Sequence, residues 1–195
     1  MRQTQIYIFT APGPSNQPDP GPGSFSDPLL AQAAQRYTQL GNAPTAPADW
    51  QVERPRGGKP YFPYRPDIQF SLSHSGAFWV CALAQQPVGL DLQQHRPCPR
   101  QALARRFFSP EECAYLQNRD APDFFRIWAA KESYVKYTGE GITSRFSQFS
   151  VAGPDGLLDR VQGAQLRFLP GPSGYSLCLC APAIQTVTFY SLAEK

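Results

Sequence analysis

Apolar positions change period several times along the chain, and each change marks an element. Ile6 to Thr10 is a short strand-like run. In SDPLLAQAAQRYTQL the period becomes helical: Leu29, Leu30, Ala33, Ala34, Tyr37 and Leu40 form one stripe. Ser26 or Asp27 stands where a cap belongs, Pro28 fits the first turn and Gly41 ends the helix. Ile68 to Ser73 and Ala77 to Ala84 read as two strands with His74, Ser75 and Gly76 at the bend, and VGLDL, Val88 to Leu92, as a third. Arg100 to Phe108 is a basic and aromatic helix, after which Ser109, Pro110 and Glu112 spell a helix start with a capping box. A longer helix follows, with Pro122 in its first turn and Gly139 and Gly141 closing it. The remainder is β-rich: Phe149 to Val151, Gln165 to Leu169, Tyr175 to Ala181 and Thr186 to Tyr190, separated by PDG and PGPSG turns. Ala11 to Gly23 and Asn42 to Pro66 are so dense in Pro and Gly that neither helix nor ladder persists there.

This order predicts an α+β fold of two halves, residues 1–93 and 94–195, joined near Gln93 to Pro99. A length of 195 residues with 42% hydrophobic content is enough for a real core. The formal net charge of +3 favours an acidic partner or an anionic ligand, and without a Lys/Arg-rich run it falls short of a nucleic-acid signature. The five cysteines include no CxxC pair to hold zinc. They read as reduced core thiols, with Cys178 and Cys180 alternating as one strand face. The start, MRQTQIYIFT, is too short an apolar stretch for a signal peptide. No segment approaches about 18 consecutive apolar residues, so the expectation is a soluble cytoplasmic protein without a membrane span.

Charges inside apolar patterns carry the chemistry. In FFRIWAAKESYVK, Trp128, Lys131, Glu132 and Val135 share one helical face, with Lys136 one turn beyond Glu132. Ionised groups are costly to desolvate without partners, so this helix is expected to line a polar site. The plainer alternative is a surface helix in which Glu132 and Lys136 form an i,i+4 pair worth about 0.2–0.5 kcal/mol. Asp91, in the middle of an apolar strand, needs a cation or a cluster of donors unless it faces solvent. A lone bend histidine such as His74 is usually structural. In RPRGGKPYFP, Gly57 and Gly58 expose backbone N–H groups beside Arg54, Arg56 and Lys59, an anion-binding turn or else ordinary solvated loop charge.

The set KPYF at Lys59, SLSHS at Ser71 to Ser75, VGLDL at Val88 to Leu92, FFSPEE at Phe107 to Glu112 and WAAKESYVK at Trp128 to Lys136 occurs in an order and spacing that resembles the Sfp-type 4'-phosphopantetheinyl transferases, across roughly Gly58 to Val151. The resemblance implies two pseudo-symmetric α/β halves with coenzyme A and a divalent metal at their interface. It also implies transfer of phosphopantetheine from coenzyme A to a serine of an acyl or peptidyl carrier protein, an acidic partner, by a monomer. Mg²⁺, or Mn²⁺, would be held by Asp91 and Glu132, a hard-oxygen set of the kind Mg²⁺ takes alongside phosphates. By the same resemblance Lys131 and Lys136 take phosphate oxygens, and Glu132 or a metal-bound water takes the serine proton. Lys59 and Pro60 would lie at the adenine end, and Ser73 and His74 would face the coenzyme A phosphates. Two departures stand out. Gln93 occupies the place where many members have a second strand carboxylate, so it offers an oxygen ligand without charge. The region Ala11 to Gly23, where members often carry basic residues that clamp the 3'-phosphate, has none, leaving Arg36, Arg54 or Arg56 as substitutes. These departures define the alternatives to an active enzyme: a coenzyme A-binding but weakly active relative, or a non-catalytic carrier-binding module using Arg105, Arg106, Phe107 and Phe108.

Overall fold

The alternation in FWVCALA sets the layering of the molecule. On this strand Trp79, Cys81 and Leu83 pack with Leu30, Ala33 and Tyr37 of the first helix, while Val80, Ala82 and Ala84 face Leu90, Leu92, Leu177 and Leu179 of a second sheet. The computed structural model describes residues 3–10, 26–41, 43, 50–141 and 144–191. The expected loop Ala11 to Gly23 lies outside these residues, as do the side chains of the expected caps Ser26 and Asp27.

Strands β1 (Gln3–Thr10), β2 (Gln69–Ser75), β3 (Phe78–Ala84) and β10 (Thr186–Ser191) form one sheet in the order β10-β1-β3-β2, covered by helix α1 (Ser26–Gln39). Strands β4 (Gly89–Gln94), β7 (Arg160–Val161), β8 (Ala164–Leu169) and β9 (Tyr175–Ala181) form the other in the order β4-β9-β8-β7. This second sheet is covered by helix α4 (Ala121–Thr138), while α2 (Arg100–Phe107) and α3 (Pro110–Tyr115) flank α4 and a small hairpin pairs β5 (Ala152–Gly153) with β6 (Gly156–Leu157). On β9, Leu177 and Leu179 face the first sheet, whereas Cys178 and Cys180 join Phe124, Ile127 and Ala130 under α4. Each half is therefore one sheet with one long helix, and the two sheets pack apolar face to apolar face between the helices. Among the described residues no helix is long and apolar enough to cross a membrane.

The sheets do not divide at Gln93. Strand β4 belongs to the second sheet, and β10 returns to pair in parallel with β1, Gln3 opposite Thr186. Leu40 falls one residue past α1 and is 49% exposed, because the chain already turns at Gly41, whose φ is +76°. Phe149 to Val151 is not a strand; its backbone is taken by side chains, Phe149 O accepting from Lys131 and Val151 N–H donating to Glu112. The capping box forms as the spacing predicts, Ser109 Oγ accepting from Glu112 N and Ser109 N donating to Glu112. All five cysteines are free thiols.

Candidate active site

Helix α4 lies directly on β4, and Gly89 makes that approach possible. A Cβ at this position would come within 1.9 Å of Ser133 O and 2.5 Å of Tyr137 N, so no larger residue fits between strand and helix. Two residues later the same strand face presents Asp91, 2% exposed, to Lys136 and Glu132. Trp128, Glu132 and Lys136 are spaced by four, so they line one side of α4.

Asp91 is held on both oxygens. Oδ1 accepts from Ser73 Oγ at 2.8 Å and from Lys136 Nζ at 2.6 Å, and Oδ2 accepts from Gln93 Nε2 at 2.7 Å. Ser73 belongs to a seam between the sheets. In antiparallel pairing the N–H groups of Leu90, Leu92 and Gln94 point away from β9, and they donate to Ser71 Oγ (2.9 Å), Ser73 Oγ (3.1 Å) and Ser75 Oγ (2.9 Å). The alternating serines of SLSHS thus complete the β4 edge with hydroxyls in place of a backbone ladder. Burial and the facing Asp91 carboxylate push Glu132 up to about 7, against the pull of Lys136 and a hydrogen bond from the Trp128 side chain. Two carboxylates that repel each other, with an amide beside them, form an all-oxygen set suited to a hard divalent cation. No cluster of three or more His, Cys, Asp or Glu able to hold a metal occurs among the described residues.

The other expected residues divide between the junction and elsewhere. Lys59 is largely buried and donates to Val88 O at the start of β4, with its Cβ 3.4 Å from the position a Gly139 side chain would take. Burial lowers its amine to about 8. Pro60 is half-buried beside it, and His74 is exposed at the end of β2. The expected bend at His74 to Gly76 is shorter: His74 and Ser75 still pair with Trp79 and Phe78 in the ladder, and the turn is Gly76–Ala77. That turn is docked on the second half: Ala77 N donates to Tyr175 Oη, and a Cβ on Gly76 (φ +55°) would lie 2.3 Å from that oxygen. Ser73 is turned inward to Asp91.

Lys131 is not brought to this cluster. Its side chain is fully buried on a different face of α4, where Nζ donates to Glu112 Oε1 at 3.1 Å and to Phe149 O at 2.6 Å and lies 2.9 Å from Glu112 Oε2. The ammonium lies 4.1 Å from the Phe149 ring centroid and 5.1 Å from that of Phe146. Burial works against both charges, lowering Lys131 and raising Glu112, and their mutual attraction opposes it. The capping box marks Glu112 in sequence, but as a local device; its role as partner of Lys131 has no local signature. Gly89 carried a signal, a glycine inside a strand, and Ser71 to Ser75 carried one in their period of two.

A family model described as the 4'-phosphopantetheinyl transferase superfamily matches residues 87–180, the stretch from β4 through β9 that contains Asp91 and Glu132. The 4'-phosphopantetheinyl transferase Sfp of Bacillus subtilis (strain 168) is 34% identical over 167 residues, 80% of this chain and 72% of that relative. Another 4'-phosphopantetheinyl transferase of Bacillus subtilis is 36% identical over 135 residues, covering 64% of this chain and 59% of the relative. The 4'-phosphopantetheinyl transferase AcpT of Salmonella typhi is 30% identical over 183 residues, 85% and 88% of the two chains. With those likenesses spanning both halves and the site between them, the chain belongs to the 4'-phosphopantetheinyl transferase superfamily, and within it to the Sfp type.

Proposed function

We propose that this protein transfers the phosphopantetheine arm of coenzyme A to a serine hydroxyl of an acyl or peptidyl carrier protein, with Mg²⁺, or Mn²⁺, held by Asp91 and Glu132. The observation that carries this reading is the facing of Asp91 and Glu132, with Lys136 paired to Asp91 at the rim, where α4 crosses β4. When bound, the cation neutralises charge on the pyrophosphate oxygens. Lys136, with its side chain 30% exposed, turns its amine from Asp91 to a phosphate oxygen. Glu132 accepts the proton of the carrier serine as its oxygen bonds to phosphorus. The bond from that phosphorus to adenosine 3',5'-bisphosphate breaks in the same displacement. Asp91 is fixed beside them by Ser73. Lys59 and Pro60 take the adenine end, and His74, exposed near the end of β2, faces the phosphates.

Both halves of the site come from one chain, which supports a monomer, and the free thiols support a reducing compartment, the cytoplasm. Arg100, Arg105 and Arg119 border a groove of about 860 Å³ between α2 and α3, and the exposed Arg106 adds to this basic face. An acidic carrier is steered there, so rising salt raises its apparent KM; a KM flat across ionic strength removes the steering.

Incubation with apo-carrier, coenzyme A and Mg²⁺ tests the activity by the mass of the added phosphopantetheine arm. A modified carrier supports the proposal, and an unmodified one in the presence of tight coenzyme A binding overturns it in favour of a weakly active relative. That second reading draws on Gln93, whose amide nitrogen is on Asp91 where a third carboxylate would strengthen a metal site. Carrier binding without coenzyme A binding would leave only a docking module.

A further inference from the structure

Residues 131, 132 and 133 leave an α-helix in directions about 100° apart, so fixing the first and third fixes the second. Both are fixed here. Lys131 is clamped to Glu112 and Phe149 O on the inner side, and the backbone of Ser133 rests against Gly89 on the β4 side. Glu112 is itself immobilised, accepting from Ser109 N at 2.8 Å and from Val151 N at 2.8 Å. The ion pair therefore joins the start of α3, the middle of α4 and the 149–151 segment into one unit, and Glu132 projects from that unit toward Asp91.

The Lys131 ammonium has three close oxygens, hydrogen-bonding to Glu112 Oε1 and Phe149 O and ion-pairing with Glu112 Oε2. Reaching an external phosphate would break these contacts and leave Glu112, also fully buried, as an uncompensated charge. We propose that Lys131 and Glu112 are positioning residues that set the rotation of α4 and so aim Glu132 at Asp91, and that Lys131 contributes no contact to coenzyme A. The inference rests on the transfer reading only in naming Glu132 and Asp91 as the groups to be aligned.

Three variants separate positioning from phosphate binding: Lys131→Met, Glu112→Gln and the double variant. Three readouts are taken for each: kcat and KM in transfer, Mn²⁺ affinity by paramagnetic resonance without coenzyme A, and coenzyme A affinity by calorimetry without metal. Positioning predicts that both single variants lose about tenfold or more in kcat and bind Mn²⁺ more weakly, as misplacement of a reacting group does. Coenzyme A affinity stays close to wild type in both. The double variant, which removes both charges together, recovers toward wild type. A tenfold or greater loss of coenzyme A affinity confined to Lys131→Met, with Glu112→Gln and Mn²⁺ binding unchanged, overturns the proposal. Should a single variant fail to fold by circular dichroism, the double variant decides: wild-type coenzyme A affinity supports positioning, and a tenfold loss overturns it. Failure of the wild-type protein to transfer would sink the activity instead, and the two affinities would still judge the positioning.

Discussion

Two clusters of charge lie on different faces of α4, and they are built to opposite ends. On the inner side Glu112 and Lys131 are both fully buried, of opposite sign, and saturated with hydrogen bonds. On the outer side Asp91 and Glu132 are carboxylates facing each other, with Lys136 at the rim and partly exposed. The inner cluster has nothing left to offer a ligand. The outer one holds like charges together and is relieved by any cation that enters, which is the arrangement a substrate-binding site requires. The comparison shows that the burial of a lysine does not reveal its role until its partners are counted.

The largest expected effect falls on the closed cluster. Removing one member of a buried pair leaves the other uncompensated, so Glu112→Ala is expected to destabilise the fold by about 3–5 kcal/mol. Asp91→Asn, which relieves repulsion at Glu132 and leaves its lost charge partner on the partly exposed Lys136, should cost less. Denaturant unfolding of both variants measures the contrast, and equal losses would erase the distinction between the clusters. On the open side the loss should appear in chemistry. Asp91→Ala and Glu132→Gln are each expected to slow transfer about 100-fold or more, close to 2.7 kcal/mol of barrier, with the melting temperature of Glu132→Gln nearly unchanged. Transfer at the wild-type rate in either variant would place the reaction elsewhere.

Gln93 sharpens the picture of how much negative charge the open cluster carries. Gln93→Glu adds the missing carboxylate and should lower the Mg²⁺ concentration for half-maximal transfer by about tenfold, while Gln93→Ala is milder than Asp91→Ala because water replaces an amide ligand. An unchanged midpoint in Gln93→Glu would show that this side chain does no more than hold Asp91. The smallest effect belongs to Lys59. Its amine sits near 8 in the fold against 10.5 when exposed, so between those values the unfolded chain binds more protons and stability rises with pH. The buried thiols Cys178 and Cys180 are raised above their ordinary 9.0 and pull the other way at higher pH. The informative quantity is therefore the difference in slope between wild type and Lys59→Met from pH 8 to 9, where the wild type alone should gain. Parallel slopes would mean the Lys59 amine is solvated.

Local periodicity made much of this legible. The stripe Leu30, Ala33, Ala34 and Tyr37, the capping box at Ser109 and the glycine stop at Gly139 all form as their spacing predicts, because each is decided within a few residues. Asp91 and Glu132 were legible as carboxylates in apolar surroundings. Long-range partners decided what was not legible. Lys131 and Glu132 are sequence neighbours yet point about 100° apart around α4, to different partners. Phe149 to Val151 has a strand's composition, but a carboxylate and an ammonium occupy its backbone. The assignment of β4 and β10 to sheets opposite from their sequence halves depends on pairings that no window of the chain contains.

The return of β10 has a kinetic consequence. Strand β1 is interior to its sheet only once Thr186 to Ser191 has arrived beside it, and until then it offers an open edge. During synthesis the first sheet must therefore wait for the second half to emerge, so the amino-terminal half is the later of the two to close although it is made first. Closure of so large a loop slows folding and leaves an unpaired strand meanwhile, which makes the β1–β10 pairing a step open to misassembly.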